Sequence, residues 1–146
     1  MSFTEAMYEF LAAQPGITAI VDDRIYPHHL PEGAKIEGAI TWFRVSAPRV
    51  HTYGTDEVPM AGDWVNARIQ FDCWDTTAEK AARLGDQVVI AFSGYGGDMG
   101  GQVQAVSTVE NEIDTFETPL KVYRRIVEVI VSYQETTETL EGSESS

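Results

Sequence analysis

The run from Trp64 to Asp75, WVNARIQFDCWD, continues without a break into TTAEKAARLGDQVVIAF, and the pair reads as a strand that feeds directly into a helix. Val65, Ala67, Ile69, Phe71 and Cys73 fall on one face, with Asn66, Arg68, Gln70 and Asp72 on the other, which is the period of two of a half-buried strand. One face therefore meets a core, and the other meets water or a partner. Asp75, Thr76 or Thr77 can cap the helix, with Glu79 and Lys80 in or near its first turn. Ala78, Ala81, Ala82, Gly85, Val88, Val89 and Phe92 then recur at mixed three- and four-residue spacing. The small residues of that stripe let the helix lie close on a sheet.

The flanking segments supply the other elements. Ser2 and Glu5 make a capping-box pattern, and Phe3, Met7, Phe10 and Leu11 recur at helical spacing up to Gln14-Pro15-Gly16, so a first helix is expected from Phe3 to Ala13. Ile17 to Val21 can add one short turn before an extended connection, from Asp22 through Pro27 and Pro31, that holds His28 and His29. Gly38 to Ser46 reads as a first strand with apolar residues on both faces, because Trp42 and Phe43 are adjacent. Ala47 to Asp63 has Pro48, Gly54, Pro59 and Gly62 as breakers and no sustained period, so it is expected to project from the body.

Beyond the helix, Ser93 to Gly101 holds five glycines among nine residues and has no local structure of its own. Gln102 to Val109 alternates as a third strand, Asn111 to Thr118 reads as an acidic turn, and Leu120 to Gln134 is a long, β-branched fourth strand. The expected fold is α+β: a four-stranded, mainly antiparallel sheet with two helices packed on one face, in the order α-β-β-α-β-β. Residues 1–134 make one domain, and residues 135–146, poor in large apolar groups, make an acidic flexible C-terminal tail.

A net charge of −13, from 23 acidic against 10 basic residues, makes nucleic acid a poor direct partner, because affinity for phosphate backbones rests on Lys and Arg. Cys73 is the single cysteine, so no internal disulfide can form, and a reduced cytosol fits. The opening residues are acidic, and no stretch approaches the ~20 apolar residues of a membrane span. A soluble, unexported chain is expected.

Few residues invite chemistry. The glycine run Gly94 to Gly101 lacks a G-K-[ST] ending and precedes a strand, so it is not a phosphate loop. His28, His29 and His51 have no second cysteine and no helical histidine-carboxylate spacing to make a metal site. Cys73 lies on the inward face of its strand, the setting of an inert thiol. No catalytic, cofactor-binding or metal-binding residue is assigned, and no cofactor is expected. Arg44, Arg68, Arg124 and Arg125 stand out because in an acidic chain they fall on strands. They either pair with carboxylates inside the fold or meet the acidic face of an identical subunit, where the planar guanidinium is favoured. With Gln70 and Asp72 they form a candidate subunit interface.

Taken in order, the opening helix to PGITAIV, then DDRIYP, WFRVS, RVHT, ARIQFDCWDTTAEKA and the closing strand LKVYRRIVEVIVSY resemble a family of small tail completion proteins. These are also called tail terminators or head-to-tail joining proteins, from long-tailed bacteriophages and related prophage elements. The similarity runs from about Phe3 to Tyr133. The resemblance implies an α+β fold, no catalysis and no cofactor. It also implies a virion protein, put together in the host cytoplasm, that forms a homohexameric ring at the head-proximal end of the tail. Its partners would be the tail tube protein and the head-tail connector protein, with DNA passing through the ring without specific binding and no membrane involved. Arg49, His51, Tyr53, Asp56, Glu57 and Met60 of the long connection are candidates for a loop reaching a neighbouring ring. The rival expectation is a small-ligand-binding or enzymatic α+β domain that uses His28, His29, His51 and nearby carboxylates.

Overall fold

A computed structural model describes residues 3–33, 35–50, 63–100, 103–118 and 121–135. Three helices and seven strands occur among them: α1 (Phe3–Ala12), α2 (Pro15–Val21), β1 (Ile25–Pro27), β2 (Ala39–Ser46), β3 (Arg49–Val50), β4 (Asp63–Asp75), α3 (Ala78–Phe92), β5 (Gly96–Met99), β6 (Val103–Glu117) and β7 (Val122–Glu135). The sheet runs β1-β2-β4-β7-β6-β5, with the two-residue β3 pairing to β4 beyond the end of β2. β1 is parallel to β2 and the other pairings are antiparallel.

This corrects the expected four-stranded, mainly antiparallel sheet with two helices. The stretch read as an acidic turn, Asn111 to Thr118, is the second half of β6, which pairs with β7 from Ala105–Tyr133 to Glu117–Val122. The glycine-rich segment contributes β5, zipped to β6 from Gly96–Val106 to Met99–Val103. Ile25–Pro27 leaves the connection to become an edge strand, and Pro27 fits there because an edge position does not need its missing N–H. Ile17 to Val21 belongs to a separate helix, α2, with Pro15 in its first turn, where the absent donor is an orphan in any case.

The central prediction from alternation is met. Val65, Ala67, Ile69, Phe71 and Cys73 are all fully buried, facing the helices. Thr77 is the residue that caps α3, its hydroxyl accepting from the Lys80 N–H at 3.2 Å. The buried stripe of α3 is Ala81, Leu84, Gly85, Val88 and Phe92. Phe92 bridges the layers, its ring centroid 4.9 Å from Phe71 and 5.0 Å from Phe10 of α1. Ser107 on β6 donates from its hydroxyl to the Phe92 carbonyl at 2.6 Å and ties the end of the helix to the sheet. Phe3 stacks on Tyr133 with centroids 4.5 Å apart and closes the opposite side. Gly100, with φ of 65°, is confined to glycine, since a Cβ there would lie 2.7 Å from the Ala6 backbone.

All three helices pack on this one face of the sheet. Among the described residues, no helix is long and apolar enough to cross a membrane.

Candidate subunit-contact face

The face of the sheet turned away from the helices is where β4 presents Asn66, Arg68, Gln70, Asp72 and Trp74. Its register partners there are Thr41 and Phe43 on β2, and Arg124, Ile126, Glu128 and Ile130 on β7. β6 continues the face with Val106, Thr108, Ile113 and Thr115.

A polar network occupies one end. The Trp74 indole N–H donates to the Thr41 hydroxyl at 3.0 Å, and the Gln70 amide donates to Asp72 Oδ1 at 2.9 Å. The Arg124 guanidinium lies 5.2 Å from the centre of the Trp74 ring, 2.6 Å from Glu117 Oε1 and 3.8 Å from Asp72 Oδ2. Only 4% of Asp72 is exposed. Burial pushes its carboxyl above the usual carboxylate range, outweighing the Gln70 hydrogen bond and the Arg124 charge that act the other way. Further along, Arg68 pairs with Glu110 at 2.8 Å. Glu110 reaches it from a register shift between Val109 and Asn111, the one-residue bulge that re-aims a side chain.

Around these ion pairs the face is apolar and open. Val106 is 52% exposed and Ile113 41%, while Phe43 and Ile130 are half-buried. Among the described residues, no helix covers it. Apolar groups beside partly exposed Arg–carboxylate pairs fit a surface that a protein partner covers.

The six residues proposed from the sequence therefore separate. Arg68, Gln70, Asp72 and Arg124 share the open face. Arg44 and Arg125 lie on the helix side, where Arg44 donates to the Tyr133 hydroxyl at 3.1 Å. Arg125 binds Asp114, Glu112 at 3.0 Å and Asp86 of α3 at 3.6 Å, and the Asp114 hydrogen bond in particular holds its pKa above the usual arginine value. The alternative in which the strand arginines pair inside the fold thus describes Arg68, Arg124 and Arg125. Arg49 sits on β3 opposite Val65, and His51, Tyr53, Asp56, Glu57 and Met60 lie outside the described residues. Sequence reasoning did not pick out Thr41, Trp74, Glu110 or Glu117. Trp74 carried the signal, since it continues the outward phase of Arg68, Gln70 and Asp72.

Among the described residues, the cysteine and the histidines are not brought together. Cys73 is fully buried, and burial drives its thiol far above its ordinary value, so it is not a nucleophile. His28 and His29 are exposed on the connection after β1, and no group of three or more His, Cys, Asp or Glu among the described residues could hold a metal ion.

Residues 5–134 match the model of the family described as tail completion protein gp17. Among solved structures, a chain of the "Virion of native gene transfer agent (GTA) particle" has the same fold, with a TM-score of 0.67 over 92% of this chain and 96% of that one at 13% identity. No curated protein matches the chain. The chain belongs to the tail completion protein gp17 family and is a structural protein of the virion that acts in virus assembly.

Proposed function

We propose that this tail completion protein closes the head-proximal end of the tail tube as a homohexameric ring, ending tube polymerisation and giving the head connector its docking surface. The observation that carries the proposal is the open sheet face, where Val106, Ile113, Ile130 and Phe43 stand beside the Arg68–Glu110 and Arg124–Glu117 pairs with no helix of the described residues over them. A ring needs two different patches per subunit that meet head to tail, and this face supplies one. The long connection around residues 51–62 reaches the tube or the connector. A subunit of net charge −13 suits the wall of a channel through which DNA slides, because it does not hold phosphate.

Electron microscopy of the purified protein, alone and on tube ends, is expected to show six-fold rings. A strictly monomeric protein whose deletion leaves tail length unchanged would overturn the proposal. Arg68→Glu and Ile130→Asp are expected to give folded subunits that no longer form rings; normal rings from both variants would remove the open face as the contact.

A further inference from the structure

We infer that a basic pocket at the opening of α3 receives the acidic segment from Glu138 to Glu144 of a second copy of the chain. The inference rests on self-association, and it names a contact that the ring reading alone does not. The pocket, of about 220 Å³, gathers Arg24, Lys35, Lys80 and Arg83 with Glu37 and Asp75. Four of the ten Lys and Arg residues of a chain with net charge −13 converge there, against two carboxylates.

The site is built rather than incidental. Arg24 is clamped by its Nε to the Gly38 carbonyl at 3.0 Å and by Nη2 to the Ile20 carbonyl at 3.2 Å. Gly38 has φ of 69°, and a Cβ on it would lie 2.7 Å from that same Ile20 carbonyl, so the floor of the pocket is close-packed. Among the described residues, neither Arg24 nor Lys35 has a carboxylate partner. Lys80 meets Glu37 only at 3.8 Å. Asp75 Oδ1 is already taken by the Thr76 N–H at 2.7 Å. Arg83 is paired with Glu79 at 3.0 Å, so Arg24 and Lys35 are the cations left for an outside anion.

Size and charge select the occupant. Pockets for small organic ligands run to ~300–1,000 Å³, and this one is smaller, on the scale of a few side chains. Residues 136–146 carry Glu138, Glu141 and Glu144 and no cation, so the chain itself contains the complementary segment. Its own copy of that segment is at the limit of its reach. Glu135 pairs with Asp63 at one end of β4, whereas the pocket includes Asp75 at the other end. Those twelve steps measure about 40 Å along the strand. From Glu135 to Glu144 a fully extended chain covers only about 30 Å. Its own copy would have to be stretched to its full length to arrive, at a large cost in chain entropy, and a neighbour's copy carries no such constraint.

The test uses full-length chains with differently sized tags. One carries Glu37→Cys at the pocket and the other Ser143→Cys in the acidic segment, while the native Cys73 is buried and does not compete. Mild oxidation of the mixture is expected to join the two tags in one product. Lys80→Glu with Arg83→Glu on the pocket chain should lower the yield about tenfold, as two surface attractions become repulsions. Glu138→Lys, Glu141→Lys and Glu144→Lys on the other chain should restore it. Lys35→Glu, at an exposed position, serves as a second reversal in case the pair perturbs α3. Absence of the mixed product, a yield indifferent to charge reversal, or a bond formed only when both cysteines sit in one chain would overturn the inference. Six-fold rings without the mixed product would sink the inference alone; the mixed product without rings would sink the ring reading alone.

Discussion

Gly85→Ala separates helix propensity from packing, because the two assign opposite signs. Gly85 is in the middle of α3, where replacing glycine by alanine in a free helix gains about 1 kcal/mol. In the fold, a Cβ at Gly85 would overlap Cγ of Arg125 and lie 3.3 Å from both its Cβ and Cδ. Those atoms cannot simply swing aside. The Cβ belongs to β7, and the guanidinium is held by Asp114, Glu112 and Asp86. Either α3 lifts from the sheet, loosening Val88 and Phe92, or Arg125 leaves its carboxylates. Overpacking of this kind costs roughly 1–3 kcal/mol. Set against the propensity gain, the net is a loss of about 1 kcal/mol, or about 3 °C in Tm for a chain of this length. Urea and thermal unfolding at fixed protein concentration measure it, and a double-mutant cycle with Arg125→Ala assigns the cause. With Arg125 truncated the alanine should regain most of its propensity benefit, giving a coupling of about 1–2 kcal/mol. A raised Tm for Gly85→Ala in the parent, or additive effects in the cycle, would refute the packing argument.

Thr77→Ala removes the cap that accepts from the Lys80 N–H and should cost about 1 kcal/mol in urea unfolding. Asp72→Asn tests the buried carboxyl. Its folded pKa lies above the ordinary aspartate value, so the fold holds more protons than the unfolded chain just above that value and stability falls as pH rises through that window. The asparagine variant should lack this slope and be no less stable than the parent at neutral pH; a slope that persists unchanged in subunit unfolding curves would show that Asp72 is not its source. Deleting Thr55 to Met60 should leave the circular dichroism spectrum intact while impairing the joining of tails to heads, and an unfolded deletion variant would mean that this stretch is part of the core.

Legibility along the chain followed the range of the interactions. Alternation on β4 identified its buried face because the helices cover that face along most of the strand, and the small residues of α3 announced a close helix because Gly85 packs on Arg125. β1 and β5 were hidden for the opposite reason. Pro27 and the glycines at 96 and 97 carry no strand preference, and each segment is extended only because a longer strand lies beside it. The candidate contact face was half legible. Its β4 members follow from the period of two, but the assignment of Arg125 to it fails on phase, since Arg125 is opposite Cys73 and Arg124 opposite Trp74. Adjacent arginines on a strand must point to opposite faces, and only pairing partners say which is which.

β6 shows most clearly why an acidic stretch misleads. Ala105, Ser107 and Val109 keep the inward phase until the register shifts between Val109 and Asn111; beyond it Glu112 and Asp114 take the inward positions and Ile113 turns outward. A one-residue bulge inverts the alternation, so a reader who follows a fixed period sees the strand end where it continues. The carboxylates that then read as a turn are the residues the neighbouring strands require. Glu110 meets Arg68 of β4, Glu112 and Asp114 meet Arg125 of β7, and Glu117 meets Arg124 of β7. Like charges at this density would disfavour a strand on its own, and opposite charges across the ladder convert each of them into a favourable pair. The arginines that stood out as unusual for an acidic chain are thus what lets its most acidic strand pair.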